Sequence, residues 1–422
     1  MRATDIINVR GTRDYFGDDL KKLEFIRKIF ESTAQNFGYE KIEFPVIEYF
    51  ELFAKKSGEE IRNTMYTFID KAGRELALRP EMTPSAVRAY LNHFQHYPKP
   101  IRLYYYGTVY RYDEPQFGRY REFRQAGIEL IGASGVLADL EVILFLLEVY
   151  RKLNLLDKIK LKINNIGIYR KLFKCGNIDE DRQEHLLHLI DKGRIDEVLE
   201  LLKDNKIFGV IEALLSRANK DQIINESRKI GCDVSDEINY LEDLLGYLSH
   251  VGQVVYPDIG FVRGLAYYTG VIFEVLHPDV SFSIAGGGRY DGLVEIYGGS
   301  PTPAVGFAIG VERTSLVLPE MKEEPKQKVA VAILSKSAEA LRLATELISG
   351  LHELGVEANF SLKGTASLSK LIPELLKEGY THLAIIGEKE ISNSMVSVKN
   401  LLKRTQTEIK LPLTADSLRQ IF

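Results

Sequence analysis

Three separated segments carry arginines in the company of aromatics, amides and glycines. The first, RYDEPQFGRYREFRQAGIELIG, runs from Arg111 to Gly132 and holds Arg119, Phe123, Gln125 and Glu129. The second, RGLAYYTGVIFE, runs from Arg263 to Glu274 and holds Tyr268. The third begins AGGGRYDG at Ala285, includes Tyr290 and ends on Arg313. Planar guanidinium groups grip phosphate oxygens two at a time. Arginines drawn from three distant segments, with no metal-ligand cluster beside them, predict a site for a polyanion.

On an extended strand Phe123, Gln125, Gly127 and Glu129 share one face. Carboxylates are rarely buried unless paired. That face is therefore either a half-solvated surface laced with ion pairs or one wall of a site. Arg111 ends the partner strand and Arg119 lies in the loop between, both within reach of it; Asp113 and Glu114 are the competing partners for these arginines. In LALRPEMT, Glu81 and Thr83 stand before a helix, where Thr83 reads as an N-cap with Glu81 beside it. AGGGRYDG lacks the strand-to-helix context of a nucleotide-binding fingerprint. Its glycines read as close backbone approach to a ligand or strand. His185 and His188 in HLLH have helical spacing downstream of Cys175. With no second ligand pair in sight, they read as an amphipathic helix rather than a metal site.

The elements that must position these residues follow from periodicity. Leu103–Tyr112 and Glu122–Ile131 read as an antiparallel pair around the polar loop 113–120. Residues 19–37 carry Leu23, Ile26, Ile29 and Phe30 at helical spacing. Residues 138–153 form an apolar helix, and 83–93 a helix with Pro84 in its first turn. Glu43–Ile47 reads as an edge strand interrupted by Pro45. Further strands are expected at 263–275 and 281–285. Between them and the first strands, residues 166–250 are leucine-rich and helical, an insertion in an antiparallel α+β domain. A charged, proline-containing stretch at 318–328 reads as a linker. Beyond it elements alternate: strands at 329–334, 356–360, 382–386 and 395–399; a helix at 337–354 with Leu341, Ala344, Ile348 and Leu351 on one face; and a helical stretch at 367–378 broken or kinked at Pro373. That is a small α/β domain with a partly parallel sheet.

Composition sets the bounds. With 422 residues, 45% of them hydrophobic and 27% charged, the chain is globular and divides into two or three domains. No apolar run reaches a membrane-spanning length of about 18 residues, and the first residues lack a secretory core. The two cysteines, Cys175 and Cys232, argue against a disulfide framework and for a reducing cytoplasm. The net charge is −4, yet residues 326–422 hold 13 Lys and Arg against 10 Asp and Glu. Lys363, Lys370, Lys399, Lys403 and Arg404 there are either contacts for a nucleic-acid backbone or ordinary solvated surface.

In order and spacing, RGTRDY at Arg10, LRPEMT, RYDEPQFGRYREFRQAGIE, VRGLAYYTG and GGGRYDGL…TPAVGFAIGVER resemble the class II histidyl-tRNA synthetases over nearly the whole chain. The resemblance implies an α+β antiparallel class II synthetase catalytic domain of six or seven strands at residues 1–325, with a helical insertion domain at 166–250. It implies a C-terminal α/β anticodon-binding domain at 326–422 and a cytoplasmic homodimer. The implied reaction activates L-histidine with ATP to histidyl-adenylate and diphosphate, then transfers histidine to the 3′ end of tRNA(His). Mg²⁺ would arrive with ATP, without a protein-held metal site. A carboxylate nucleophile is already ionised, so no general base is needed; charge around the in-line transition state is.

Residue by residue, the resemblance gives Arg111 the α-phosphate and the amino-acid carboxylate, and Arg119 the terminal phosphates. Phe123 and Arg313 would sandwich adenine. Glu81, Thr83 and Gln125 would bind the ammonium, Glu129 and Tyr268 the imidazole, with Tyr290 lining the same pocket. Arg263 would neutralise the α-phosphate at the reacting end of histidine. Two positions depart from the family pattern. Ala266 stands where many members have aspartate, so support for Arg263 must come from elsewhere. Asp113 and Glu114 stand where many have a glutamate and a basic residue. The alternative is a histidine-sensing regulatory paralogue of ATP phosphoribosyltransferase, without catalysis. The presence of Arg111, Arg119, Arg263 and Arg313 and of a full domain at 329–422 weighs against it.

Overall fold

The computed structural model describes residues 6–57, 59–251, 254–263, 267–320, 327–362 and 368–422. The chain forms two compact units, Met1–Glu320 and Met321–Phe422. Of the expected linker, residues 321–326 lie outside the described residues.

In chain order the strands of the first unit are β1 (Glu40–Lys41), β2 (Ile47–Tyr49), β3 (Thr67–Ile69), β4 (Glu75–Leu78), β5 (Ile101–Tyr110), β6 (Glu122–Ile131), β7 (Lys160–Asn165), β8 (Val255–Pro257), β9 (Val271–Leu276), β10 (Ala285–Arg289) and β11 (Ala304–Gly310). Among the described residues eight of them form one sheet in the order β1-β5-β6-β11-β10-β9-β7-β8. All pairs are antiparallel except the short edges, β1 beside β5 and β8 beside β7. These edges take the sheet past the six or seven strands expected.

Pairing sorts the side chains of this sheet onto two faces. Tyr104, Ile128 and Phe307 lie opposite one another on β5, β6 and β11. They meet Phe30 and Phe145 of the helices Gly17–Asn36 and Val136–Lys152 in one buried core. Each such fully buried side chain contributes roughly 1.5–3 kcal/mol. The apolar face under two helices thus fixes the register, because a slip of one residue would turn it to solvent. A buried ion pair adds a second pin. Arg289 at the end of β10 donates to Asp139 at 2.9 and 2.6 Å, and Asp139 also accepts from Tyr240 at 2.7 Å.

Several sequence expectations shift. Pro45 does not interrupt a strand: β1 ends before it and β2 begins after it, in different sheets. The second and third arginine segments hold strands later than expected, at Val271–Leu276 and Ala285–Arg289, so AGGGR is itself a strand. Between β7 and β8 the described residues hold six helices from Gly167 to Leu248. His185 and His188 face solvent on one of them, while Leu186, Leu187, Leu189 and Ile190 point inward.

The cysteines correct the composition argument. Cys175 and Cys232, 57 positions apart in sequence, are joined by a disulfide with Cα atoms 6.1 Å apart. Helix packing brings the two together, which a count of cysteines does not show. Without free thiols, they give no support to a reducing compartment.

Among its described residues the second unit has five strands: β12 (Lys328–Ile333), β13 (Glu357–Phe360), β14 (His382–Ile386), β15 (Met395–Asn400) and β16 (Thr405–Lys410). Their order is β13-β12-β14-β15-β16, parallel over the first three and antiparallel over the last two. The helix Ala338–Glu353 covers one face and Leu368–Lys377 the other. The first helix is N-capped by Ser337, which accepts from Ala340 N at 3.1 Å. It buries Ala340, Leu343, Ala344, Leu347 and Leu351, with Ile348 packed against them; of the expected stripe only Leu341, 55% exposed, faces solvent. The second helix runs through Pro373 as one element.

Candidate active site

The face of the large sheet away from the two helices is hollowed by missing side chains. One cross-strand row runs Tyr105, Gly127, Ala308, Gly286, Glu274, Lys162; the next runs Leu103, Glu129, Gly306, Gly288. A Cβ on Gly306 would sit 1.9 Å from a Glu129 carboxylate oxygen, and one on Gly286 would sit 2.1 Å from Arg263 Nη1. Neither position tolerates alanine without moving a charged group. The glycines therefore admit ligand-facing side chains to the sheet surface and leave a cavity of about 360 Å³ above it.

At one end of the cavity polar groups converge on a buried carboxylate. Glu129 is 1% exposed. It accepts from Thr83 Oγ1 at 2.8 Å, from Tyr105 Oη at 3.0 Å and from Tyr290 Oη. Burial outweighs these donors and pushes its pKa up to about 7. Thr83 is not the N-cap expected of it. The helix Thr83–Ala89 begins at that residue, Met82 holds the cap position, and the Thr83 hydroxyl turns to Glu129. Glu81 accepts from Tyr267 Oη at 2.9 Å, and burial raises its pKa too. Tyr268 and Gln125 line the same cavity. Gln125 Oε1 is buried without a hydrogen-bond partner among the described residues.

The arginines line the same cavity. Arg111 donates to Pro80 O at 3.0 Å and lies 5.5 Å from the centre of the Phe123 ring. Arg313 donates to Gly118 O at 2.9 Å and Ser283 O at 3.0 Å, and its Cζ lies 4.9 Å from the centre of the Phe282 ring. Burial, with Arg111, Arg119 and Arg263 nearby, pushes Arg313 down to about 10. It stays charged at neutral pH, in a field that favours an anion. Arg263 keeps its Nε buried and, among the described residues, without a partner. Arg119 lies 3.8 Å from Asp113, whereas Glu114 pairs with Arg10 at the surface. Ala266 lies outside the described residues.

Every site residue named from the sequence lines this cavity or, like Glu129, bonds to residues that do. Others were missed. Tyr105 and Tyr267 hold the two carboxylates, and their only sequence signal is a place in the tyrosine runs LYYYG and AYYTG. Glu312 is 3% exposed and accepts from Arg124 N at 2.7 Å and Arg124 Nη1 at 2.8 Å. That pair ties together the neighbours of Phe123 and Arg313. Glu274 lines the cavity beside Arg263, at 3.4 Å.

The arrangement can bind a polyanion and an aromatic base at one end, and a small cationic ligand with a hydrogen-bonding side chain at the other. Residues 11–314 match the histidyl-tRNA synthetase family profile, and residues 328–420 match an anticodon binding domain. The histidine–tRNA ligase of Sulfurisphaera tokodaii is 53% identical, over 98% of this chain and 99% of its own. The solved structure of apo S. aureus histidyl-tRNA synthetase superposes with a TM-score of 0.71 at 27% identity, covering 99% of each chain. A structure described as an ATP phosphoribosyltransferase regulatory subunit/histidyl-tRNA synthetase from Bacillus halodurans C shares the fold, with a TM-score of 0.74 at 24% identity over 91% of this chain and 98% of that one. The chain belongs to the histidyl-tRNA synthetase family.

Proposed function

We propose that this cavity joins L-histidine to ATP, forming histidyl-adenylate and diphosphate, and that the chain then passes histidine to the 3′ end of tRNA(His). The observation that carries the proposal is one cavity lined by four arginines and by Thr83 and Tyr290, whose hydroxyls donate to the buried carboxylate of Glu129. The histidine carboxylate attacks the α-phosphorus, the bond to the bridging oxygen of diphosphate breaks, and diphosphate leaves with the electron pair. Arg111 and Arg263 neutralise the reacting phosphate, where charge-matched donors act most strongly. Arg119 takes the terminal phosphates, and Phe123 and Arg313 hold adenine between them. Glu81, Thr83 and Gln125 bind the ammonium, for which the unpartnered Gln125 Oε1 is a ready acceptor. Glu129, Tyr268 and Tyr290 take the imidazole.

Mg²⁺ enters on the triphosphate. The cavity carboxylates Asp113, Glu274 and Glu312 already face Arg119, Arg263 and Arg124. Such a donor set suits an ion carried in on phosphate oxygens and water rather than one caged by the protein.

Residues 1–325 form the catalytic domain, 166–250 its helical insertion, and 326–422 the anticodon-binding domain. Lys370, Lys399, Lys403 and Arg404 are candidates for tRNA backbone contacts; Lys363 lies outside the described residues. The homodimer draws support from the small sheet β2-β4-β3. Ile47, Tyr49 and Phe68 share one face with Leu76 and Leu78, and the first three are 49, 54 and 40% exposed. An apolar row of that kind suits a second copy of itself. Tyr49→Glu should yield monomers in sedimentation; an unchanged species would exclude this face. A cytoplasmic location follows from the substrates, and among the described residues no helix is long and apolar enough to cross a membrane.

The test is exchange of labelled diphosphate into ATP. Exchange that depends on histidine, followed by charging of tRNA, supports the reaction. Binding of histidine with no exchange would instead describe a regulatory paralogue.

A further inference from the structure

We infer that Glu274 is the positioning residue for Arg263, and that its own carboxylate is held in place by a line of charges reaching into the helical insertion. The inference rests on the proposed role of Arg263.

Glu274 lies in the middle of β9. Its cross-strand neighbours are Gly286 on β10 and Lys162 on β7. All three therefore face the cavity side of the sheet. The Arg263 guanidinium fills the space left by Gly286, which puts its Nη1 3.4 Å from Glu274 Oε2. The other Glu274 oxygen, Oε1, lies 3.5 Å from Lys162 Nζ. Lys162 is in turn 3.8 Å from Asp258 Oδ2 and sits over the Phe261 ring at 4.8 Å. Asp258, 5% exposed, receives two hydrogen bonds from Arg217, at 2.8 and 3.0 Å. Arg217 belongs to the turn between two insertion helices and takes a left-handed φ of +57° to reach it. Signs alternate along the whole line: Arg217, Asp258, Lys162, Glu274, Arg263.

Two features make Glu274 a positioner rather than a competitor for the phosphate. Its contact with Arg263 is long, beyond the roughly 2.7–2.9 Å of a strong charged hydrogen bond. It also engages one nitrogen only, while among the described residues Arg263 Nε remains buried and without a partner. The guanidinium is aimed but keeps donors for substrate. Lys162 shares the carboxylate's charge, so Glu274 does not collapse onto Arg263. Support of this kind is what Ala266 cannot provide, having no charge.

The test is a two-residue cycle measured by histidine-dependent diphosphate exchange, on the parent, Glu274→Gln, Arg263→Ala and the double variant. Misplacing a catalytic group by about 1 Å costs on the order of 10²-fold. Glu274→Gln should lower kcat by roughly 10- to 100-fold with the histidine KM near the parent value, and Glu274→Asp should recover part of the loss. In the Arg263→Ala background, Glu274→Gln should add little, because residues acting as a unit are not additive. The proposal is overturned if Glu274→Gln exchanges at the parent rate, or if its factor is the same with and without Arg263. Should Glu274→Gln fail to fold, the cycle is run with Glu274→Asp under the same criteria. A parent protein with no histidine-dependent exchange would sink the assigned reaction itself, a separate outcome.

Discussion

Replacing Glu129 with glutamine should make the protein more stable at alkaline pH while disabling its recognition of histidine. Burial raises Glu129 from the usual value near 4.5 to about 7. At about 1.4 kcal/mol per pKa unit, keeping it ionised at pH 8 costs the folded state about 3 kcal/mol. The sign follows from linkage. The native protein holds this proton more tightly than the unfolded chain does. Stability therefore falls as pH rises from 4.5 to 7, and the penalty is complete above 7. Glutamine removes the charge but cannot accept from Thr83, Tyr105 and Tyr290 alike. Tyr290 must turn its hydroxyl, at a cost of about 1 kcal/mol. The net expectation is a gain of about 2 kcal/mol at pH 8 and a loss of about 1 kcal/mol near pH 4.5. Thermal unfolding of both proteins at pH 4.5 and pH 8 measures this. A variant less stable than the parent by equal amounts at both values would refute the charge strain. In the parent, kcat/KM for histidine should fall below about pH 7 as Glu129 takes up its proton. The variant should lose roughly 10²-fold or more in that constant, since a buried polar pocket rejects a ligand it cannot pair with; equal losses for ATP would assign Glu129 to the fold instead.

Arg263→Ala or Arg263→His should lower adenylate formation by about 10²- to 10³-fold, the usual loss for a donor that acts in the transition state, while histidine binding by calorimetry persists; near-normal exchange would remove Arg263 from the mechanism. A chain ending at Glu320 should still exchange diphosphate, because every named ATP and histidine contact precedes Thr314, but should charge tRNA poorly and with a weaker salt dependence. If both activities fell together, the modular assignment would be wrong. Cys175→Ser with Cys232→Ser should destabilise the insertion by up to about 4 kcal/mol, the closure entropy of a loop spanning 57 residues; an unchanged melting midpoint in reductant would show that the bridge adds nothing.

Much of the fold was legible where local pattern and tertiary need agree. The alternation in Glu122–Ile131 gave the site wall, because a strand with one face on a core and one on a cavity keeps its period of two. Of the helices over Tyr104, Ile128 and Phe307, the first announced itself by spacing and the second by its long apolar run. The arginines were legible as a set, since four cations without ligand clusters imply an anion wherever the chain folds. AGGGR was not legible as a strand: glycine is a poor strand former, and its use here appears only when Arg263 and Tyr268 occupy the space a Cβ on Gly286 or Gly288 would fill. Thr83 looked like a cap because its neighbours in sequence are a helix; its hydroxyl instead serves Glu129, 46 residues away. The disulfide and the line from Arg217 to Arg263 join positions 57 and 46 residues apart. Residue type and spacing set which groups are available and which local elements carry them. Which carboxylate is buried, which arginine is aimed and which cysteines meet depend on strand register and helix packing, because those energies arise only when distant segments exclude water together.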